Sequence, residues 1–592
     1  MKILKKLESM TNPSNKFTVI VILLWSAQLL NSRAYYVPYL LISMVAIISY
    51  IFNNYFPNTI SNNNDAHRQK LLISVFSSIF SLMITLSNYD LWSLSKFHSK
   101  IIYHILFFIC GYIVFKTILN ALLQKLPFFI LLSNNKTLSP IKIFFICFSA
   151  ITIINCSVLF LGFYPGILTP DSISQITQIL SGNYSNHHPY YHTQVIKFFF
   201  TIGMSLFNNI NAAVATYSVF QILFMSMCFS LTLSTMAHLK ISNKILLLIG
   251  LFYAFMPYHI MYSLTMWKDI MFGGFVLLLI TCIFRILQNI GNIKINYIIL
   301  FISSIGFCLF RSNGFFAFVI LTIFLILLFK TEQRKMLLVF IGAIILSIFM
   351  KYPMLSYLNV KQPDTIEALS IPAQQIARVI VENKPLTTYE KQLLEKIIDI
   401  NKIPQSYKPF ISDNIKSLVR QKGNQNLLKE NKFEYLKLYV HLGIKYPLSY
   451  ARGWIDETKG YWNAGYEYRR WSTGIYKNTL EIKPEPLSQR ANKYVNRYLS
   501  LFTRIQIFRI VLCIGLFVWI NILMLFINIY RKDKLGILTS LPTIMITLSL
   551  LIATPVFAEF RYIYAIFCAL PMIIIISLRE LPQQKLEENS NV

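Results

Sequence analysis

The sequence predicts an all-α protein that crosses a membrane many times, and three observations support this fold class. Hydrophobic residues make up 55% of the 592 residues, charged residues only 14%, and the mean hydropathy is +0.53. A soluble domain carries roughly 25% charged residues. Apolar runs of about 18 or more residues, long enough to span a bilayer as a helix, recur along the chain. We therefore expect a polytopic membrane protein with about 14 transmembrane helices.

The predicted spans fall into three groups that polar segments separate. They are residues 17–32, 37–53, 71–88, 101–119 and 143–163, then 211–236, 245–262, 270–286, 296–310, 314–329 and 336–350, and finally 507–529, 536–555 and 560–578. The corresponding domains are N-terminal transmembrane helices (1–140), a transmembrane core (141–350) with an outer loop bearing interfacial helices (164–210), a mainly helical extracytoplasmic domain (351–505), C-terminal transmembrane helices (506–580) and a tail (581–592).

The formal net charge of +30 comes from lysines and arginines that flank the apolar runs. The positive-inside rule accounts for this distribution, so we do not expect a nucleic-acid partner. With both termini in the cytoplasm, every loop predicted inside is basic, as in the loop with Lys240 and Lys244. This orientation requires that residues 195–210 do not cross. They contain Lys197, and we expect an interfacial or re-entrant helix there.

The outer loop contains Asp171, one of only 25 acidic residues in the chain. Asp171 follows Pro170 and precedes an amphipathic run, which is typical of a helix start. One interpretation is an N-cap that accepts a backbone N–H bond, worth about 1 kcal/mol. The other is a catalytic base held just outside the membrane. The two roles are compatible, because a cap fixes the position of a carboxylate.

Three histidines, His187, His188 and His192, follow in the same loop. Pro189 interrupts any helix, and no glutamate follows His188 as it does in zinc proteases, so the spacing does not favour a metal site. We expect His187 and His188 to hydrogen-bond a phosphate or a sugar. A structural turn built by His188 and Pro189 is the alternative.

Charged side chains also lie at the outer ends of several predicted spans, where charge is costly and often functional. We predict that Lys268, Arg311 and Arg561 bind a phosphate. The alternative is structural: pairing of Asp269 with Lys268 or Arg311, pairing of Glu559 with Arg561, or snorkelling to the headgroups. The candidate substrate-binding residues here are Lys268, Asp269, Arg311, Asn313, Glu559, Arg561 and Tyr562.

The polar segment ends in an aromatic-rich stretch with two interpretations. The rings form either a platform for a sugar or a belt at the membrane interface. They are Trp454, Tyr461, Trp462, Tyr466, Tyr468 and Trp471. The chain has no phosphate-binding loop, dinucleotide-binding glycine pattern, serine nucleophile elbow or His-Glu-x-x-His motif, so ATP-driven transport and zinc proteolysis lack support.

The outer loop resembles that of the glycosyltransferase C superfamily (GT-C) in the elements Phe163-Tyr164-Pro165-Gly166, Asp171-Ser172, Gln175, Gly182, His188-Pro189 and Thr193. Over roughly 140–580 the chain also resembles a bacterial family of multi-spanning proteins of unassigned function. That narrower resemblance rests on the same loop and on Trp267-Lys268-Asp269, Arg311-Ser312-Asn313-Gly314, Ile371-Pro372-Ala373-Gln374-Gln375, Ser412-Asp413-Asn414-Ile415-Lys416 and Arg561-Tyr562.

The GT-C resemblance implies an inverting glycosyltransferase of the bacterial plasma membrane, with Asp171 as catalytic base. It would move a sugar from a polyprenyl-phosphate donor to a cell-envelope glycan, lipid or protein on the outer face. No cofactor is implied. Asp171 lacks the adjacent second acid of many GT-C members, which leaves a divalent metal as an open alternative. The rival functions are an envelope-glycan polymerase or ligase with a lipid-diphosphate donor, and a transporter or flippase of a lipid-linked saccharide.

Overall fold

Helices and their connecting loops make up the part of the chain that the structure describes. This computed structural model describes residues 16–31, 36–55, 64–89, 97–125, 138–330 and 333–581. Within those ranges, extended backbone is limited to isolated bridges such as Ile167 with Thr265. The predicted all-α class is therefore confirmed. The tail from residue 582 onward lies outside the described residues.

The helices before the polar segment form most of the bundle. They are α1 (Lys16–Asn31), α2 (Tyr36–Tyr55), α3 (Asn64–Ser87), α4 (Phe97–Lys125), α5 (Pro140–Val158), α6 (Pro170–Ser181), α7 (Tyr190–Phe207), α8 (Ile210–His238), α9 (Asn243–Phe255), α10 (Pro257–Ser263), α11 (Lys268–Leu287), α12 (Ile293–Leu309), α13 (Gly314–Phe329) and α14 (Arg334–Phe349). Two of them continue through π-helical turns, α5 through Leu159–Phe163 and α14 through Met350–Met354 into Leu355–Tyr357.

Shorter helices build the polar segment, and three long apolar helices follow it. The polar segment contains α15 (Ser370–Val381), α16 (Thr388–Glu395), α17 (Ile403–Ser406), α18 (Asp413–Lys422), α19 (Asn426–Glu430), α20 (Lys432–Lys445), α21 (Pro447–Thr458) and α22 (Gln489–Arg504). The last three helices are α23 (Ile514–Tyr530), α24 (Lys534–Ala553) and α25 (Phe560–Leu578).

Among the described residues, eight helices are long and apolar enough to cross a membrane. The pair α9 and α10, bent by 49° at its break, would make a ninth span. Shorter apolar helices, namely α1, α2, α12, α13 and α23, occupy the other predicted span positions. The chain therefore has the helices of a multi-pass membrane protein, and the count of about 14 spans stays a prediction.

Helix α7, which covers most of residues 195–210, is not one of these span candidates. It turns back into α8 at Asn208, whose φ is +46°. The two helices touch at Gly203, where an added Cβ would collide with the backbone of Ala213. This hairpin is compatible with a helix that does not cross, which remains a prediction.

The polar segment has packed cores of its own. One hydrophobic cluster includes Ile415 and Leu428, and a second includes Leu393 and Leu442. Burial of such side chains removes apolar surface from water and stabilises a folded unit. The segment is thus a packed, mainly helical domain.

The aromatic stretch at the end of the polar segment belongs to the core of the bundle. Tyr461, Trp462 and Tyr468 are buried. The indole of Trp519 in α23 donates to the carbonyl of Trp462 at 2.8 Å. For these three residues both sequence interpretations, an exposed sugar platform and a belt facing lipid, are wrong, because packing against transmembrane helices covers the rings.

The bundle has two ends with different surroundings. The near end lies beside the polar segment, where Ser412 donates to the carbonyl of Pro555 at 2.9 Å. The N-termini of α11 and α25 lie at this end and carry Lys268 and Arg561. The far end contains Arg531, which donates to the carbonyl of Ser577 at 2.6 Å.

Candidate functional site

Two extended residues of the outer loop, Ile167 and Leu168, fix the loop against the near end. The N–H of Ile167 donates to the carbonyl of Leu264 at 2.9 Å, and its carbonyl accepts from Met266 at 3.1 Å. The carbonyl of Leu168 accepts from the N–H of Tyr476 at 2.8 Å. The start of α6 is therefore held between the segment that leads into α11 and the end of the polar segment.

Helix α6 begins with a cap that Asp171 does not supply. The N-cap is Thr169, whose N–H donates to Ser172 Oγ at 3.0 Å. The same hydroxyl of Ser172 donates to the carbonyl of Met266 at 2.8 Å, and Trp267 Nε1 donates to Thr169 Oγ1 at 2.6 Å. Asp171 lies in the first turn instead, so the capping interpretation is wrong. Its carboxylate is left to contact other elements.

That contact is with Arg561 at the start of α25. An amino group of Arg561 donates to Asp171 Oδ2 at 2.7 Å, across a sequence separation of 390 residues. The pair is only partly buried, since 30% of the Asp171 side chain and 19% of the Arg561 side chain remain exposed. The guanidinium also lies over the Trp267 ring, 4.9 Å from its centroid. The carboxylate is thus held in place but stays accessible.

Arg561 keeps one donor without a partner. Its Nε is buried and makes no hydrogen bond to any described residue. The carboxylate of Glu559 lies 4.0 Å from this nitrogen, which is too far for a hydrogen bond. A guanidinium with a free N–H suits a second oxyanion, such as a phosphate oxygen.

Charge keeps Asp171 ionised. Burial alone would raise the pKa of Asp171, but the positive charges around it, that of Arg561 above all, lower this pKa below its ordinary value. The carboxylate is therefore an acceptor at neutral pH.

A second ion pair lies beside the first, between Arg311 Nη1 and Asp269 Oδ1 at 3.1 Å. Asp269 is 1% exposed, and neither oxygen accepts a well-aligned hydrogen bond from the described residues, so charge alone holds the pair. Arg311 also lies over the Tyr562 ring, 4.7 Å from its centroid, and donates to the Tyr562 carbonyl at 3.3 Å. The predicted pairing of Asp269 with Arg311 is confirmed.

Lys268 has no such partner. No ion pair or hydrogen bond joins its ammonium group to the described part of the chain. Its charge nevertheless acts on Asp171, His187 and His188, so it lies within electrostatic reach of the cluster. Lys268 therefore has no ion-pair or hydrogen-bond partner among the described residues to give up when an anionic ligand binds.

Glu559 and the two histidines complete the cluster. Tyr468 donates to Glu559 at 2.7 Å, and burial raises the pKa of Glu559 although Arg561 opposes the shift. The rings of His187 and His188 lie 4.9 Å apart. Burial, assisted by the charge of Lys268, lowers the pKa of His188 to about 4 and also lowers that of His187. Both imidazoles are therefore neutral at pH 7.

A buried hydrogen-bond network supports the cluster from behind. Gln175 Nε2 donates to His192 Nδ1 at 2.9 Å and to Thr193 Oγ1 at 2.8 Å. His192 Nε2 donates to the hydroxyl of Tyr217 at 2.9 Å, which donates to Gln221 at 3.0 Å. Gln221 in turn donates to backbone carbonyls of the turn that leads into α11. The network ties α6, α7 and α8 to the segment that carries Lys268.

The amide of one predicted substrate-binding residue, Asn313, is bonded to another helix. Asn313 donates to Ser549 Oγ at 2.6 Å, a bond that joins the start of α13 to α24. Within the described ranges, no three His, Cys, Asp or Glu side chains are arranged to hold a metal ion. The remaining predicted residues, which are Asp171, His187, His188, Lys268, Asp269, Arg311, Glu559, Arg561 and Tyr562, come together at the near end.

A family model matches residues 180–591, and its description is a family of unknown function, DUF6020. The chain belongs to this family. The matched region includes Lys268, Arg311 and Arg561 and begins after Asp171. No curated protein and no solved structure matches the chain.

Three residues that complete this site were not selected as site residues from the sequence: Thr169, Trp267 and Tyr468. Trp267 directly precedes Lys268, so its position was a usable signal. Tyr468 lay in the aromatic stretch, where several similar residues gave no reason to choose it. Thr169, directly before Pro170, carries the local signal of a helix N-cap, but nothing local indicates its bond to an indole 98 positions away.

Proposed function

We propose that this chain is a membrane glycosyltransferase of the GT-C type. It transfers a sugar from a polyprenyl-phosphate donor to a cell-envelope glycan, lipid or protein at the outer face of a bacterial plasma membrane. The observation that carries the proposal is the contact between the Asp171 carboxylate and Arg561, beside Lys268 and Arg311, at one end of the bundle. A base and several phosphate-binding cations are the groups that this reaction needs.

Lys268, Arg561 and Arg311 hold the donor phosphate in different ways. Lys268 has no ion-pair or hydrogen-bond partner among the described residues, and the Nε of Arg561 has no hydrogen bond, so it can bind a phosphate oxygen once the guanidinium moves. Arg311 already neutralises Asp269 and adds positive charge at short range. These groups offset the negative charge that develops on the leaving phosphate. A phosphate leaving group needs little help from a general acid.

Asp171 accepts the proton of the acceptor hydroxyl as that oxygen attacks the anomeric carbon, and a single displacement inverts the configuration. Its lowered pKa makes it a weak base while Arg561 holds it. In our proposal the donor phosphate draws Arg561 away from Asp171. The basicity of the carboxylate then rises only when donor is present.

The membrane orientation is part of the proposal. The near end and the polar segment face outward, and both termini face the cytoplasm. The far end carries Arg285, Arg531 and Arg579, which fits a cytoplasmic face under the positive-inside rule.

An envelope-glycan polymerase or ligase is the second candidate. It would use a lipid diphosphate and depend on arginines more than on a base. The observation that favours it is the lowered pKa of Asp171, which makes the carboxylate a weak base. A transporter or flippase of a lipid-linked saccharide is the remaining alternative from the sequence, and no contact among the described residues of the near end favours it over transfer.

The deciding experiment replaces Asp171 with Asn in the full chain, reconstituted in vesicles with polyprenyl-phosphate sugars and an envelope extract. We expect transfer to fall about 10²- to 10⁴-fold, the range typical of loss of a general base. Glu481→Gln removes an exposed carboxylate elsewhere and serves as the matched control. Unchanged transfer in Asp171→Asn, with loss in Arg561→Lys, would reject the base and favour the polymerase or ligase.

A further inference from the structure

The polar segment contains a cavity that the proposed transfer reaction does not use. Its volume is about 430 Å³, and it lies among α15, α18, α19 and α20. Side chains of one hydrophobic cluster line it, including Ile366, Ile397, Ile403, Ile415 and Leu428. The volume falls in the range of roughly 300–1,000 Å³ that is typical of small-molecule sites.

The lining predicts an apolar ligand. Isoleucine and leucine side chains make up most of the wall and offer water no hydrogen bonds, so the interior favours an apolar ligand. An empty apolar cavity also destabilises a protein in proportion to its volume, because the wall atoms lose dispersion contacts. An apolar occupant would restore those contacts.

The mouth of the cavity lies along α20. Phe433 and Leu436 line the cavity and yet are 77% and 55% exposed, which marks them as the rim. Lys432, next to them, is exposed and is the only charged residue in the lining. An apolar interior with a single cation at the rim complements a hydrocarbon chain that ends in an anionic head group.

We propose that this cavity binds the alkyl chain of a single-chain anionic amphiphile, with the head group at Lys432. The site is separate from the Asp171 cluster, and its existence does not depend on the transferase proposal. Helix α18 lines the cavity with Ile415 and Val419, while the charges of Lys416 and Arg420 on the same helix reach His187. Occupation of the cavity therefore braces the helix that carries those two cations.

The test uses the full chain in nanodiscs of zwitterionic lipid and a photoreactive palmitate that carries a diazirine on its chain. We expect saturable labelling of the peptides that contain Ile397–Ile403 or Leu428–Leu436, with competition by unlabelled palmitate. Ala373→Trp fills the cavity and is expected to reduce this labelling at least tenfold, whereas Gln421→Trp, at an exposed position on α18, leaves it unchanged. Lys432→Gln is expected to weaken competition by palmitate several-fold and competition by hexadecanol little.

Labelling confined to transmembrane helices would overturn the proposal. So would labelling of the exposed outer face of α20, at Val440 and Ile444, since that pattern indicates contact with the bilayer surface. Unchanged labelling in a folded Ala373→Trp variant would also overturn the proposal. If that variant does not fold, the peptide map of the unsubstituted protein decides the question. Loss of sugar transfer is not among the readouts, so failure here leaves the transferase proposal standing.

Discussion

Both ends of the bundle carry buried charged residues, but they differ in how many of these residues have hydrogen-bond partners within the protein. At the far end, Arg579 donates to both oxygens of Asp533, at 2.6 and 2.9 Å. Arg531 donates to two backbone carbonyls, and Arg285 to Asn296 and a threonine hydroxyl. These arginines all donate hydrogen bonds to other groups of the protein.

At the near end, by comparison, several charged and polar groups lack hydrogen-bond partners. Asp269 lacks well-aligned hydrogen bonds, Arg561 Nε and His188 Nδ1 lack partners among the described residues, and Lys268 is unpaired there. A buried polar group without a partner costs about 1–3 kcal/mol. Native proteins keep such groups where function uses them. The difference teaches that a buried charged residue does not by itself indicate a functional site. A buried charged residue that lacks a hydrogen-bond partner does.

After Asp171→Asn, loss of Arg561 is expected to reduce transfer most, and it is the most direct way to break the comparison. Arg561→Ala removes a phosphate donor and the partner of Asp171, so we expect transfer to fall about 10²- to 10³-fold. Initial rates in vesicles, normalised to folded protein, measure it. If Arg561→Ala keeps more than one tenth of the original transfer rate, the charged cluster at the near end has a structural role and not a catalytic one.

Arg579→Met tests the complete end. Removal of one member of a buried pair leaves Asp533 without its hydrogen-bonded cation, and since Arg531 still lies within electrostatic reach we expect a loss of about 3 kcal/mol of stability. The rate per folded molecule should not change. Thermal unfolding in nanodiscs measures the loss, and the double variant Arg579→Met with Asp533→Asn should recover part of it. A stable Arg579→Met protein that fails to transfer sugar would contradict the division between the two ends.

Acid tests the network behind the near end. The pKa of His192 is lowered to about 3 from an ordinary value of 6.5, so the unfolded chain takes up the proton more readily than the folded one. Its contribution to stability is full above pH 6.5 and falls by about 1.4 kcal/mol for each pH unit toward pH 3. We expect His192→Gln to unfold with a weaker dependence on pH between 6.5 and 4. Equal slopes in both proteins would show that folding does not lower the pKa of His192.

The smallest effect concerns Asn313. Its bond to Ser549 predicts a loss of about 1 kcal/mol for Asn313→Ala, and Ser549→Ala should cost the same without addition in the double variant. Unfolding midpoints measure both. A fall in transfer specific to Asn313→Ala would restore the substrate-binding role predicted from the sequence.

Much of the architecture was predictable because the helix positions depend on residues that are near one another along the chain. Apolar run length and low charge content set the helix positions, and the structure has a helix at each predicted span. Most of the cluster was predictable too, because charged residues such as Lys268 and Arg561 stand out at the ends of apolar runs. Asp171 was harder, since a proline followed by an aspartate looks like a cap.

By itself, the sequence determined the all-α class, the order of apolar and polar segments, and which residues were chemically unusual. These depend on neighbours along the chain, through hydropathy and turn chemistry. Only the tertiary structure decided that Trp267 holds Thr169, that Arg561 holds Asp171 and that Tyr461 is buried. Those outcomes join segments up to 390 residues apart, and no local pattern records which distant surface a side chain meets.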